Sequence, residues 1–182
     1  MKPLAFIFLL FSLAALGQNK SLHDSTFNYN GGFLANYKHP FQTHPEIGLA
    51  WQCNTFAEIG IMRSMTEDLV EMNEPTHLFG YKAAIETNLI PNNYVIAPKI
   101  AVEADIFILA FRANLTDFIG QGINDLRFTP EVGITLGGYF SFCIGYNLPL
   151  LAHRINLIQN EVLSFNINYN KAYHDYWHRY RN

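Results

Sequence analysis

Residues 44–61, HPEIGLAWQCNTFAEIGI, alternate between bulky apolar side chains and a second set in which glutamate stands beside glycine or alanine. A period of two indicates a β-strand with different surroundings on its two sides. Similar alternation recurs in segments of about nine to twelve residues, the length of membrane barrel strands. These segments predict strands at 27–38, 45–52, 55–64, 78–89, 93–104, 107–117, 126–136, 139–148 and 160–170.

Residues that favour tight turns separate these segments. Breaks are predicted at Cys53-Asn54, 91–93, Ala104-Asp105, Gly120–Asp125 and Gly137-Gly138. The acidic residues 66–76 do not alternate and are interpreted as a loop between strands. Because proline cannot donate to a strand ladder, Pro45, Pro98 and Pro130 are expected to mark strand starts.

Nine candidate strands do not suit bacterial barrels, whose strand numbers are even. Either 27–38 is a plug or lead-in segment, which leaves eight strands, or the 66–76 region hides a tenth. We expect an all-β, antiparallel up-and-down transmembrane barrel of about eight strands (8–10). A barrel of this size is filled by its own side chains and is not an open pore.

The two sides of the strands differ in kind. One side is bulky and apolar throughout, as in Phe140, Phe142 and Ile144, while the other mixes charged residues with Gly, Ala and Ser. A narrow barrel interior needs small residues and paired charges, so this side is expected to face inward. The predicted structural charge network consists of Glu46, Glu58, Lys82, Glu86, Lys99, Glu103, Arg112 and Glu131.

The first residues, MKPLAFIFLLFSLAALGQNK, place an apolar run behind Lys2 and close it on small residues. This layout is typical of a secretory signal peptide. We expect a signal peptide at 1–17, an outer-membrane barrel at 18–170 and an aromatic, basic tail at 171–182. After Gly17 no run of 18 apolar residues follows, so any spanning segments must be strands.

Three stretches carry a resemblance: the signal end Gly17-Gln18, NYVIAPKIAVEADIFILAFRANLTDF, and NDLRFTPEVGITLGGYFSFCIGYN. The chain resembles small outer-membrane barrel proteins of Bacteroidetes-type bacteria, by sequence over residues 77–150 and by pattern elsewhere. The resemblance implies location in the cell outer membrane, with membrane lipid and the barrel-assembly machinery as partners. It implies no catalytic residues. The chain departs from barrels that end on an aromatic residue of the last strand, because KAYHDYWHRYRN follows.

Two other functions stay open. A secreted, soluble calycin-like barrel would turn the apolar side inward around a small apolar ligand. A lipid-modifying barrel enzyme would need Ser, His and an acid at the rim, and His44, Ser64, His77 and Ser141 form no ordered triad in the sequence.

Other chemistry finds little support in the sequence. His174 and His178 have metal-ligand spacing but no evident third ligand. We predict no catalytic residue, metal or cofactor, and the net charge of −3 does not indicate nucleic-acid binding. Whether Cys53 and Cys143 pair is left open.

Overall fold

The computed structural model describes residues 41–68, 75–88, 90, 93–136 and 138–169. Three predicted segments lie outside these residues: the signal peptide 1–17, the strand 27–38 and the tail 171–182. Within the described ranges, no helix is long and apolar enough to cross a membrane.

The described residues form strands and turns in one closed sheet. The strands are β1 Gln42–Gln52, β2 Asn54–Asp68, β3 Pro75–Asn88, β4 Val95–Ile106, β5 Leu109–Gly120, β6 Ile123–Leu136, β7 Phe140–Tyr146, β8 Leu148–Pro149 and β9 Glu161–Asn168. Neighbours in the chain pair antiparallel from β1 to β7, and β9 closes the circle between β7 and β1. The two-residue β8 continues the register of β7 along β6. The predicted eight-stranded, antiparallel up-and-down barrel is therefore confirmed.

The strand register determines the shape of the barrel. Starting at Trp51, a circuit through directly opposite residues passes Leu163, Ile144, Val132, Phe111, Ala104 and Phe79 to Met65. Met65 neighbours Ser64, the partner of Gln42. The circuit therefore returns to Phe41, the residue before β1 and ten residues before Trp51. With about 3.3 Å per residue and about 4.7 Å between strands, this stagger gives a strand tilt of about 40°.

One predicted connection was wrong, and two were predicted too long. The β4–β5 turn lies at Phe107-Ile108, where Phe107 has a φ of 54°, and not at Ala104-Asp105, which pair within the sheet. The predicted break at Gly120–Asp125 shrinks to Gln121-Gly122, because Ile123–Asp125 already belong to β6. The predicted loop at 66–76 is shorter too, since β2 continues to residue 68 and β3 begins at residue 75.

The expectation that prolines start strands was also wrong. Pro45, Pro98 and Pro130 each lie several residues inside β1, β4 and β6. Pro98 keeps its registered partner Ile85 in β3, while neither Pro98 nor Ala97 has a ladder partner in β5. A proline without an N–H is thus accommodated where it interrupts one ladder and leaves the other continuous.

The two ends of the barrel differ. We call the end with the start of β1 and the end of β9 the terminal end, and the opposite end the capped end. At the capped end, the segment 150–160 between β8 and β9 places Ile155 and Ile158 inside the barrel. They join an apolar cluster with Ala50, Phe56, Val95, Ala97, Phe118 and Val162. Phe56 and Phe118 meet edge-to-face with ring centroids 5.9 Å apart.

Close packing of the strands makes a prediction at Gly133. A Cβ added there would collide with the Phe142 carbonyl oxygen and lie 2.6 Å from the Cys143 Cα, both fixed backbone atoms. Gly133→Ala should destabilise the barrel by about 1–3 kcal/mol, measured by denaturant unfolding in detergent micelles. Ala83→Val, which enlarges an outward side chain of β3, is the matched control and should change stability by less than about 0.5 kcal/mol. Equal effects of the two substitutions would contradict the register.

Candidate functional site

All eight residues of the proposed charge network lie inside the barrel, and none is more than 6% exposed. They come from six consecutive strands, β1 to β6. Strand alternation puts them there, because each stands next in sequence to outward residues, as Lys99 and Glu103 do beside Ile100 and Val102. The network occupies the interior between the apolar cluster and the terminal end.

Two lysines link three glutamates into one chain. The Lys82 Nζ lies 2.7 Å from both Glu46 Oε1 and Glu58 Oε1. The Lys99 Nζ lies 2.6 Å from Glu58 Oε2 and also pairs with Glu86. Glu58 therefore binds one lysine with each carboxylate oxygen, and the chain of alternating charges crosses from β1 to β4.

Arg112 forms the second part of the network. Its Nε and Nη2 donate to the two carboxylate oxygens of Glu103 at 2.8 and 3.0 Å, the bidentate geometry that suits a guanidinium. Its Nη1 lies 3.4 Å from Glu131, and its Nη2 also donates to the Ser141 hydroxyl at 2.6 Å. The Ser164 hydroxyl donates to Glu131 at 2.8 Å, so this part reaches β7 and β9.

The arrangement is built for cohesion. Each of the three cations contacts two carboxylates, and each of the five glutamates contacts at least one cation. Removing a charge from water without a partner is costly, whereas pairs with further hydrogen bonds recover much of that cost. Because these side chains are almost completely buried and are bound to one another, the network connects the strands from inside.

A second buried ion pair was not among the predicted residues. Arg127 donates twice to Asp125 Oδ2, at 3.0 and 2.6 Å, and the same oxygen accepts from the Ile155 N–H. Arg127 also donates to the Gln159 carbonyl at 3.1 Å. This pair holds the capping segment onto the barrel wall. The sequence carried the signal, because opposite charges two residues apart share one face of a strand. The predicted strand began at residue 126, three residues after the start of β6, and so left out Asp125.

The structure brings His44 and Ser64 together, and no carboxylate among the described residues completes a triad with them. The Ser64 hydroxyl lies 3.4 Å from His44 Nε2, and the other ring nitrogen has no hydrogen-bond partner. Both side chains are buried at the terminal end. The hydroxyl of Ser141 is bound by Arg112. A hydrolase would need a carboxylate on the free ring nitrogen and access for substrate.

The remaining sequence questions concern cysteine and metal. Cys53 is exposed in the β1–β2 turn and Cys143 is buried in β7, so the two thiols do not pair. Among the described residues, no group of three His, Cys, Asp or Glu side chains could hold a metal ion. His174 and His178 lie outside the described residues.

Comparison of the chain with protein-family models, with curated proteins and with solved structures found no match. The resemblance to Bacteroidetes-type outer-membrane proteins therefore stays a prediction. What the barrel can do must be inferred from its own surfaces and interior.

Removing Arg112 should be the most costly single change in the network. Arg112→Leu leaves Glu103 and Glu131 buried without their shared cation, which should cost on the order of 3–5 kcal/mol. The check is denaturant unfolding in detergent micelles. Arg154→Leu, in the exposed capping segment, is the control and should change stability by about 0–1 kcal/mol. Wild-type stability of Arg112→Leu would show that these charges are not buried together.

A double substitution distinguishes the loss of the Lys99–Glu86 attraction from the cost of leaving Glu86 buried without a cation. Lys99 is the only cation that contacts Glu86 among the described residues. Lys99→Met alone should destabilise strongly, whereas adding Glu86→Gln should restore part of the loss, because the uncompensated carboxylate is then gone. Losses that simply add in the double variant, measured in the same unfolding assay, would argue against a direct pair.

Proposed function

We propose that this protein is an outer-membrane β-barrel with a closed, charged interior, serving a structural or surface-binding role through its loops and carrying no enzymatic site. The observation that carries the proposal is the inverted polarity of the barrel. Among the described residues, 24 buried side chains are polar or charged and 14 are apolar, while 32 large hydrophobic side chains are exposed.

Water is a poor solvent for such a wall. Soluble monomers rarely expose contiguous apolar patches beyond about 300–600 Å². Here every one of the eight barrel strands contributes exposed Ile, Leu, Val or aromatic residues, such as Ile59 at 69% and Ile134 at 60%. Moving a fully exposed side chain of this kind from water to an apolar phase gains about 1.5–3 kcal/mol, and these partly exposed side chains gain a corresponding fraction. Lipid around the barrel provides that phase.

The height of the apolar wall supports the same proposal. Along β4 the outward apolar side chains run from Ile96 to Ile106. Ten residues at about 3.3 Å each, tilted by about 40°, give a height of about 25 Å, which is the height of the apolar band of outer-membrane barrels.

Aromatic residues border this wall at both ends, as membrane-interface girdles do. At the terminal end, Phe41 and Tyr81 lie with ring centroids 6.1 Å apart, and Tyr139 lies 6.4 Å from Tyr169. Toward the capped end, Trp51 and Tyr146 are exposed. The Arg63 guanidinium stands 5.9 Å above the Phe41 ring, a position in which a cation at the interface can stay hydrated while its stem lies on the wall.

The soluble calycin-like alternative needs the opposite arrangement. Its ligand would occupy an apolar interior, but the middle of this interior is filled by the charge network. The buried aromatic side chains Phe56 and Phe118 pack against the capping segment instead. The described interior therefore favours a lipid-exposed wall over an internal apolar ligand.

The connections suggest how the barrel would be oriented. Outer-membrane barrels have short periplasmic turns and longer extracellular loops. The eleven-residue segment 150–160 lies at the capped end and exposes Leu150, Leu151, His153 and Arg154. We therefore place the capped end outside the cell and the terminal end in the periplasm, where the barrel-assembly machinery would meet it. The capping segment is then the main surface for binding.

Location can be tested on cell envelopes. The protein should pellet with outer membranes, require detergent for extraction, and migrate faster on gels unheated than boiled, since a folded barrel resists the detergent. Recovery in the soluble periplasmic fraction, without detergent, would refute the membrane proposal.

Adjacent residues on β7 should respond oppositely to substitution. Phe142 is 44% exposed and faces outward, while Ser141 is buried beside Arg112. Phe142→Arg should impair insertion into vesicles by about 2–4 kcal/mol, the cost of a cation at the bilayer midplane. Phe142→Leu is the control and should insert normally. Insertion of Phe142→Arg as efficiently as wild type would place this face away from lipid.

A further inference from the structure

The outer wall is indented at one place. A groove of about 1090 Å³ crosses β5, β6, β7, β9 and the end of β1. Its apolar lining includes the outward side chains of Trp51, Phe111, Val132, Ile144, Tyr146 and Leu163. The floor lies close to the backbone, because the outward ring of Pro130 is short. Gly145 faces inward, where an added Cβ would meet the Glu131 side chain. The volume slightly exceeds the range of about 300–1,000 Å³ for small-molecule sites, so it has room for a lipid chain.

The polarity of the groove is one-ended. Aliphatic and aromatic side chains line most of its length, and its exposed polar residues lie toward the capped end. The buried Glu131 also borders the groove, with its carboxylate bound by Arg112 and Ser164. Cys53 is the β1–β2 turn, Gln159 is in the capping segment, and Glu161 begins β9. A ligand that matches this pattern has an apolar tail along the strands and a polar head at the capped end.

Charge selects among such ligands. Glu161 is exposed and makes no ion pair with any described residue, and neither lysine nor arginine lines the groove. The carboxylate would attract an ammonium group and disfavour a head group that carries only negative charge. We infer that this groove binds a phospholipid with an ammonium-bearing head group, an inference that rests on the proposed membrane location. The acyl chains would lie on Val132 and Ile144, and the ammonium would lie at Glu161.

Trp51 lines the groove, so its fluorescence can report lipid binding. The chain has two tryptophans, so Trp177→Phe leaves Trp51 as the only one. The full chain with this substitution, purified in detergent micelles, is titrated with phosphatidylethanolamine whose acyl chains carry bromine, a contact quencher of tryptophan fluorescence. Brominated phosphatidylglycerol, which lacks the ammonium, is titrated in parallel. Quenching should saturate, with the half-saturating concentration at least about tenfold lower for the ethanolamine lipid.

Three variants test the assignment of the two ends. Glu161→Gln should bring the two lipids within about twofold of each other. Val132→Phe fills the groove and should raise the half-saturating concentration by about tenfold. Ile61→Phe, an equally exposed apolar position on β2 outside the groove, is the matched control and should leave it unchanged.

Several outcomes would overturn the inference. Two of them are the same half-saturating concentration for both lipids and an unchanged half-saturating concentration in Val132→Phe. A third is shielding of Trp51 that needs no lipid and grows with protein concentration. That third outcome would assign the groove to a second copy of the chain. Flotation of the same protein with lipid vesicles distinguishes the two proposals. A protein that floats but shows no lipid preference loses only the groove site, and one that does not float loses the membrane location as well.

Discussion

Three cations that each bridge two carboxylates are the interaction on which this structure depends. Lys82, Lys99 and Arg112 contact all five interior glutamates, and Ser141 and Ser164 extend the contacts to the strands that close the barrel. In the proposed membrane location the outward wall contributes no hydrophobic core, because lipid is as apolar as the wall itself. On that proposal, cohesion comes from strand ladders and interior polar contacts. The network also makes the barrel sensitive to substitution, because replacing one member leaves a buried charge without its partner.

At the capped end, the capping segment closes the interior of the barrel. The network is followed by apolar side chains, and Ile155 and Ile158 of the capping segment complete that layer. Arg127 and Asp125 hold the segment through its backbone, at Gln159 and Ile155. This combination closes one mouth of the barrel with both hydrophobic and ionic contacts. It favours a role on the outer surface of the barrel over passage of solutes through it, and the lateral groove lies on that outer surface.

Much of the fold was predictable from alternation alone. Period-two patterning gave the strands and separated the bulky side from the small and charged side, because one residue of shift exchanges the two faces. Connections without a turn signal were missed: Phe107-Ile108 is a turn made of two apolar residues. The partners of each charge could not be predicted, since Lys99 meets Glu58, 41 residues away, across β3. The registers of β4 on β3 and of β3 on β2 set Lys99 level with Gly60, two residues from Glu58. Likewise, nothing local indicates that Ile155 enters the interior.

The central claim is that the charged side faces inward and the apolar side faces lipid. Spin labels placed singly at each position of β4, Val95 to Ile106, in lipid vesicles test it directly. Collision with oxygen, which dissolves in lipid, should rise and fall with a period of two and be highest at outward positions near Ile100 and Val102. A water-soluble nickel complex should reach neither face at mid-strand. Strong collision of the nickel complex with labels at 100 and 102 would contradict the account, because it would put the apolar wall in water.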